Sequence, residues 1–132
     1  MTGRSWRRLG AISGGLAVAA GAFGAHSLET TLDPRGMAVF ETAARYQMYH
    51  ALALIAVGLL AERGRRVDLA GWSFALGTLL FSGSLYALAL AGERRLGAIT
   101  PIGGLGFLVG WTALAFGGDD GKDRDVVSGA GG

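Results

Sequence analysis

The sequence predicts an all-α integral membrane protein, a four-helix bundle with both termini in the cytoplasm. The main evidence is the stretch 69–92, which contains 24 residues and no charged side chain. As a helix it would span about 36 Å, enough to cross a bilayer core of about 30 Å. Three further apolar runs accompany it, and the charged residues, only 17% of the chain, are concentrated between the runs. This distribution is typical of a multi-pass membrane protein rather than of a soluble globular one.

The four predicted helices cover about residues 9–26, 37–61, 69–92 and 100–117. A basic head, 1–8, precedes the first helix, and Asp33-Pro34 resembles an N-cap followed by proline at the start of the second. The first apolar run could also be a secretory signal peptide, but its row of glycines favours a helix that is retained and packed. The tail, 118–132, is rich in Gly and Asp, and we expect it to be disordered.

Small residues recur on one side of the first and fourth predicted helices and on two sides of the third, which we expect to be the central helix, and they predict close helix packing. In a bilayer, helices associate through packing and hydrogen bonds, and small side chains let their backbones approach. An alternative is that some of these rows form a homodimer face. The predicted packing seams consist of Gly10, Gly14, Gly21, Ser73, Gly77, Ser84, Gly103, Gly106 and Gly110.

The helix ends predict a polar cluster at the outer face of the bundle. With four crossings, the end of helix 1, the start of helix 2, the end of helix 3 and the start of helix 4 lie at the same face. The cluster consists of His26, Tyr46, Gln47, His50, Tyr86 and Thr100. One interpretation is that the side chains bond to one another between helix ends, because lipid cannot satisfy them. Another is that His26 and His50 approach each other and bind a metal or relay protons.

The composition excludes or disfavours several classes of function. The chain has no cysteine, which excludes disulfides, thiol catalysis and thiolate metal sites. No Asp, Glu, Lys or Arg lies in the centre of an apolar run, which disfavours an ion-coupled exporter. No nucleophile–base or carboxylate pair is visible, so we expect no enzyme, no cofactor and no resident metal. The arginines flank the membrane runs, so we expect no nucleic-acid partner.

Five ordered motifs resemble those of the YgdD-like family, small bacterial inner-membrane proteins of unknown function. They are AISGG at 11–15, GAFGAH at 21–26, YQMYHALAL at 46–54, LGTLLFSGSLYALAL at 76–90 and TPIGGLGFLVGW at 100–111. The resemblance covers about residues 9–117 and implies four helices in the bacterial cytoplasmic membrane. It brings no established activity and no catalytic residue.

The sequence therefore favours a non-enzymatic interaction, assembly or membrane-maintenance protein. Besides the lipid bilayer, its partner would be another membrane protein or a second copy of the chain. The alternative is a small channel or carrier for a neutral solute or ion, with the polar cluster at its outer mouth.

The distribution of basic residues predicts the topology. Three arginines in the head, three in the loop 62–68 and two basic residues in the tail lie on one side, against four arginines on the other. The positive-inside rule places the more basic side in the cytoplasm. Reporter fusions after Gly64 and after Gly117 should be active only with a cytoplasmic reporter. A periplasmic signal from either fusion would contradict this topology.

Overall fold

The computed structural model describes residues 1–117 and consists there of four α-helices with two short helical segments. The helices are α1 (Gly3–Phe23), α2 (Pro34–Glu62), α3 (Asp68–Ala91) and α4 (Thr100–Phe116). One π-helical turn, Gly24–Leu28, prolongs α1, and a 3₁₀ segment, Arg94–Ala98, joins α3 to α4. The tail predicted to be disordered, 118–132, lies outside the described residues.

Helix α1 begins at Gly3, six residues before the predicted start, so most of the predicted basic head is helical. Thr2 caps it, because its Oγ1 accepts a hydrogen bond from the backbone N–H of Ser5 at 3.1 Å. Tertiary contacts hold this first turn in place. The Trp6 side chain is fully buried, and the Arg7 guanidinium pairs with the Glu62 carboxylate of α2 at 2.9 Å.

The other helix starts follow local capping signals only in part. Asp33 caps α2 as predicted, and its Oδ1 accepts from the N–H of Gly36 at 2.6 Å, so α2 starts at Pro34, three residues before the predicted start. Asp68 is already the first residue of α3, and its carboxylate instead accepts from the Trp6 indole and the amino terminus, each at 3.2 Å. The Asp68 carboxylate therefore links the start of α3 to the first turn of α1.

Helices α1 and α2 pack antiparallel along a row of small residues spaced seven apart. A Cβ on Gly3 would lie 2.5 Å from the Gly58 carbonyl oxygen, and one on Gly10 would lie 2.6 Å from the Ala51 carbonyl oxygen. Ala17, the next position in the row, is buried, and Gly24 packs against the Phe40 ring. A seven-residue repeat keeps one seam facing the partner over the whole length of both helices.

Helices α3 and α4 pack through aromatic rings that lie over glycines of the opposite helix. Each of these rings occupies the space where a Cβ on its glycine would be. The pairs are Phe107 over Gly77 and Phe74 over Gly110, whereas Gly103 lies directly against the backbone of Phe81. A third ring, that of Trp6 in α1, lies over Gly71 of α3 in the same way. These rings, together with Leu54 and Val57 of α2, make one buried core.

The glycines of the predicted seams therefore differ in how closely a neighbouring helix packs against them. Gly10, Gly77, Gly103 and Gly110 lie in contacts too close for a Cβ without a shift, and Gly106 lies in a tight contact with α3 near Gly77 and Ser73. Gly14 makes only ordinary van der Waals contacts, and a Cβ on Gly21 would meet nothing within 4 Å. The assignment of Gly21 to a seam within the chain is wrong, because α1 meets α2 along the row of Gly3, Gly10, Ala17 and Gly24, which does not include Gly21.

Three of the helices are long and apolar enough to span a membrane, namely Gly3–Leu28, Asp68–Ala91 and Arg94–Phe116. The polar residues of α2 keep it out of this group. Its contacts with α1 extend from Gly58 against Gly3 to Phe40 against Gly24, so α2 covers the same height as α1. Large apolar side chains such as Ile12, Leu16 and Leu105 are about 60% exposed, as expected for surfaces that face lipid. The chain is an all-α integral membrane protein.

The unequal use of the glycines gives a matched pair of variants. Gly10→Ala should lower the free energy of unfolding by about 1–3 kcal/mol, because the new methyl group meets the α2 backbone at Ala51. Gly21→Ala should be neutral or stabilise by up to about 1 kcal/mol, since alanine favours the helix and no atom is displaced. Unfolding of the purified protein in detergent measures both. Equal unfolding midpoints would show that the seam is misplaced.

Candidate functional site

Gln47 of α2 joins three helices at the centre of the polar cluster. Its Nε2 donates to the Ser13 carbonyl oxygen of α1 at 3.0 Å, and its Oε1 accepts from the Tyr86 hydroxyl of α3 at 2.8 Å. The Gln47 side chain is 9% exposed, so these bonds replace those that water would give. The Ser13 carbonyl is within reach because the α1 backbone approaches α2 closely at Gly10.

His50, one turn further along α2, has both ring nitrogens engaged. Its Nδ1 lies 2.7 Å from the Tyr46 carbonyl oxygen, and its Nε2 lies 3.2 Å from the indole Nε1 of Trp111 in α4. An indole nitrogen can only donate, so Nε2 accepts and Nδ1 carries the proton. The geometry therefore selects one tautomer of a neutral imidazole. The His50 ring also stacks on the Phe107 ring, with the planes 2° apart and the centroids separated by 3.4 Å.

Thr100 and Ser84 form a separate polar contact between α3 and α4. The Ser84 hydroxyl donates to the Phe81 carbonyl oxygen at 3.0 Å, and its oxygen lies 2.6 Å from Thr100 Oγ1. Because a serine hydroxyl has one proton, Thr100 is the donor in the second bond. This bond lies beside the close contact between Gly103 and the Phe81 backbone.

His26 does not join the cluster, and the expectation that it approaches His50 is wrong. It lies exposed in the π-helical turn after α1. In the antiparallel pair, Gly24 of α1 lies opposite Phe40 of α2, and Ser13 of α1 lies opposite Gln47 of α2. A separation of thirteen residues along α1 corresponds to about 20 Å. Among residues 1–117 no group of three His, Cys, Asp or Glu side chains could hold a metal, so the two-histidine metal hypothesis has no assembled site.

Several residues of the site escaped the sequence analysis. Trp111 and Phe107 of α4 hold His50, but no local pattern pairs residues 61 or 57 positions apart. The one available signal was their spacing of four, which places both rings on the same face of α4. Tyr46 lies in the same aromatic group, with its ring centroid 4.7 Å from that of Phe81.

A groove between α2 and α4 runs past this aromatic group. Its volume is about 580 Å³, and its walls are almost entirely apolar and aromatic. Tyr49 and Trp111 are about half exposed there, while Leu105 and Leu108 are more than 60% exposed. The site thus combines a buried, fully bonded imidazole with an open aromatic surface. Such a surface can hold an apolar partner in place.

The bonds of His50 predict how substitutions should behave. His50→Leu should lower the free energy of unfolding by about 1–3 kcal/mol, because the Trp111 indole loses its acceptor in a dry site. His50→Gln should retain most of the stability, since an amide can both donate and accept. Unfolding in detergent compares the two variants. If His50→Gln lowered the free energy of unfolding as much as His50→Leu, this assignment of the hydrogen bonds would be contradicted.

Comparison with known proteins identifies the family. The model of a family described as "Protein of unknown function (DUF423)" matches residues 20–104. The chain is 50% identical to a UPF0382 membrane protein of Staphylococcus epidermidis over 107 residues, 80% of this chain and 88% of that protein. It is 47% identical to the UPF0382 membrane protein YwdK of Bacillus subtilis over 109 residues, 80% of this chain and 89% of YwdK.

A further relative gives the cellular location. The chain is 45% identical to the UPF0382 inner membrane protein YgdD of Escherichia coli over 121 residues, 89% of this chain and 91% of YgdD. No solved structure matches the chain significantly. These matches place the protein in the bacterial cytoplasmic membrane and confirm the resemblance carried by its motifs. The chain belongs to the DUF423 family of membrane proteins, the YgdD-like family of unknown function.

Proposed function

We propose that this protein acts without catalysis, by contacting a membrane-protein partner or a second copy of itself within the bilayer. The observation that carries the proposal is the aromatic groove between α2 and α4 beside a filled interior. The interior side chains Trp6, Phe74, Leu54 and Val57 are less than 2% exposed. With the centre filled by side chains, the outer surface is the part that remains available for a function.

The polar groups of the site support a structural rather than a catalytic role. Both nitrogens of His50 and both polar atoms of Gln47 have partners within the bundle. A general base needs a free acceptor within reach of a substrate proton. These side chains instead hold α1, α2, α3 and α4 in one arrangement and thereby fix the shape of the groove.

The groove has the chemistry of a contact surface. Tyr49 and Trp111 present rings on its two walls, and Leu105 and Leu108 present aliphatic side chains. Aromatic residues are enriched at the centres of protein interfaces, because they bury a large area at a small entropic cost. An apolar helix of a partner, laid between α2 and α4, would cover these side chains.

Photo-crosslinking in native membranes tests the proposal. A photoreactive phenylalanine analogue at Leu108, in the groove, should give a discrete crosslinked protein band. The same analogue at the adjacent Val109, which is 49% exposed and outside the groove, is the matched control and should give none. A band with twice the mass of the chain would identify the partner as a second copy. Equal labelling from both positions would contradict a defined contact in the groove.

A second candidate function, a carrier for a small neutral solute, is favoured by one observation. The hydroxyls of Thr78 and Ser82, one helical turn apart on α3, are buried and have no hydrogen-bond partner within residues 1–117. Thr78 also lines a cleft between α1 and α3, along which a polar solute would pass. Proteoliposomes should then take up glycerol or urea faster than empty vesicles, and Ser82→Ala should abolish the excess. Uptake equal to that of empty vesicles would exclude the carrier for these solutes.

A further inference from the structure

A polar pocket lies at the end of the bundle where α1 passes into α2 and α3 passes into α4. Its volume is about 860 Å³. Its walls come from the link before α2, the first turns of α2, the last turn of α3 and the 3₁₀ segment. The pocket is about 20 Å along the bundle from the His50 site, so it is independent of the function proposed above.

Two arginines from separate parts of the chain line this pocket. Arg35 belongs to the first turn of α2, and Arg94 begins the 3₁₀ segment after α3. Both side chains are exposed, and neither makes an ion pair with another residue of the described chain. Asp33 also lines the pocket, but its Oδ1 is bonded to the N–H of Gly36 at the start of α2. The residues that line the pocket thus carry two positive charges against one negative charge.

The opposite wall of the pocket is apolar. Val39 of α2 and Leu88 and Ala89 of α3 form it, and they lie on the membrane side of the arginines. Helix α3 ends at Ala91, and the next residue, Gly92, has a φ of 69° that turns the chain out of the helix. The charged rim therefore lies at the level where a membrane-spanning helix ends, and the apolar wall leads from it toward the bilayer core.

We propose that this pocket binds the anionic headgroup of a membrane phospholipid. The guanidinium groups of Arg35 and Arg94 hold the phosphate, which guanidinium recognises through paired N–H donors. The acyl chain follows the apolar wall along Val39 and Leu88. Charge complementarity selects an anionic lipid, and the apolar wall selects a lipid over a free anion. Basic pockets between membrane helices bind lipid headgroups elsewhere by the same chemistry.

Native mass spectrometry of the purified protein in detergent tests the proposal with phosphatidylglycerol as the probe. The wild type should retain one phosphatidylglycerol and should bind phosphatidylethanolamine about tenfold more weakly. Arg35→Gln and Arg94→Gln should each weaken phosphatidylglycerol binding about tenfold, because each removes a charged hydrogen-bond donor. Arg95, the neighbour of Arg94, does not line the pocket, so Arg95→Gln should leave phosphatidylglycerol binding unchanged.

A further variant and two further ligands distinguish a lipid site from a general effect of charge and from a site for a free anion. Ala89→Phe keeps every charge but fills the apolar part of the pocket, and it should weaken lipid binding without a change in the thermal midpoint. If Arg95→Gln weakened phosphatidylglycerol binding as much as Arg94→Gln, the proposal would be overturned, because binding would then depend on the overall charge of the protein rather than on this pocket. Equal binding of phosphatidylethanolamine would also overturn it. Inorganic phosphate that displaces the lipid at equal concentration would assign the pocket to a free anion instead.

Discussion

The fit of aromatic rings over glycines is the constraint on which the rest of this structure depends. The rings of Phe107, Phe74 and Trp6 each occupy the space where a Cβ on a glycine of a neighbouring helix would stand, as does the ring of Phe40 over Gly24. In lipid the hydrophobic effect contributes little to helix association, so close van der Waals packing has to supply the attraction. A ring against a bare backbone maximises such contacts, and the pairing fixes the relative height of the two helices.

The polar site is a consequence of this packing. The Phe107 ring of α4 contacts Gly77 of α3 and stacks on His50 of α2, so one ring sets the spacing of three helices. Trp111, one turn further along α4, then reaches His50 with its indole N–H. On the opposite side, Gly10 brings the α1 backbone close enough for Gln47 to bond the Ser13 carbonyl. A substitution at Gly10 or Gly77 would therefore alter the hydrogen bonds of Gln47 or His50.

The distribution of satisfied and unsatisfied groups separates the structural parts of the molecule from the parts available for function. Gln47, His50 and Tyr86 are bonded within the bundle, so they stabilise the arrangement of helices. The groove beside Trp111 and the pocket between Arg35 and Arg94 are open surfaces with defined chemistry, one aromatic and one cationic. The two sites lie at different depths, so a partner in the groove and a lipid in the pocket could be bound together.

The sequence by itself determined the class, the number of helices and most of their limits, because long uncharged runs, caps and prolines are local signals. It also indicated that Gly10, Gly77, Gly103 and Gly110 mediate packing, and that Gln47, His50, Tyr86 and Thr100 need polar partners. Only the tertiary structure decided the register between helices. That register separates His26 from His50, leaves Gly21 outside the packing seam, and brings Trp111 to His50 and Trp6 to Asp68. The reason is physical: a helix pattern shows which face is small or polar, but the height at which two faces meet depends on how side chains of distant segments fit together.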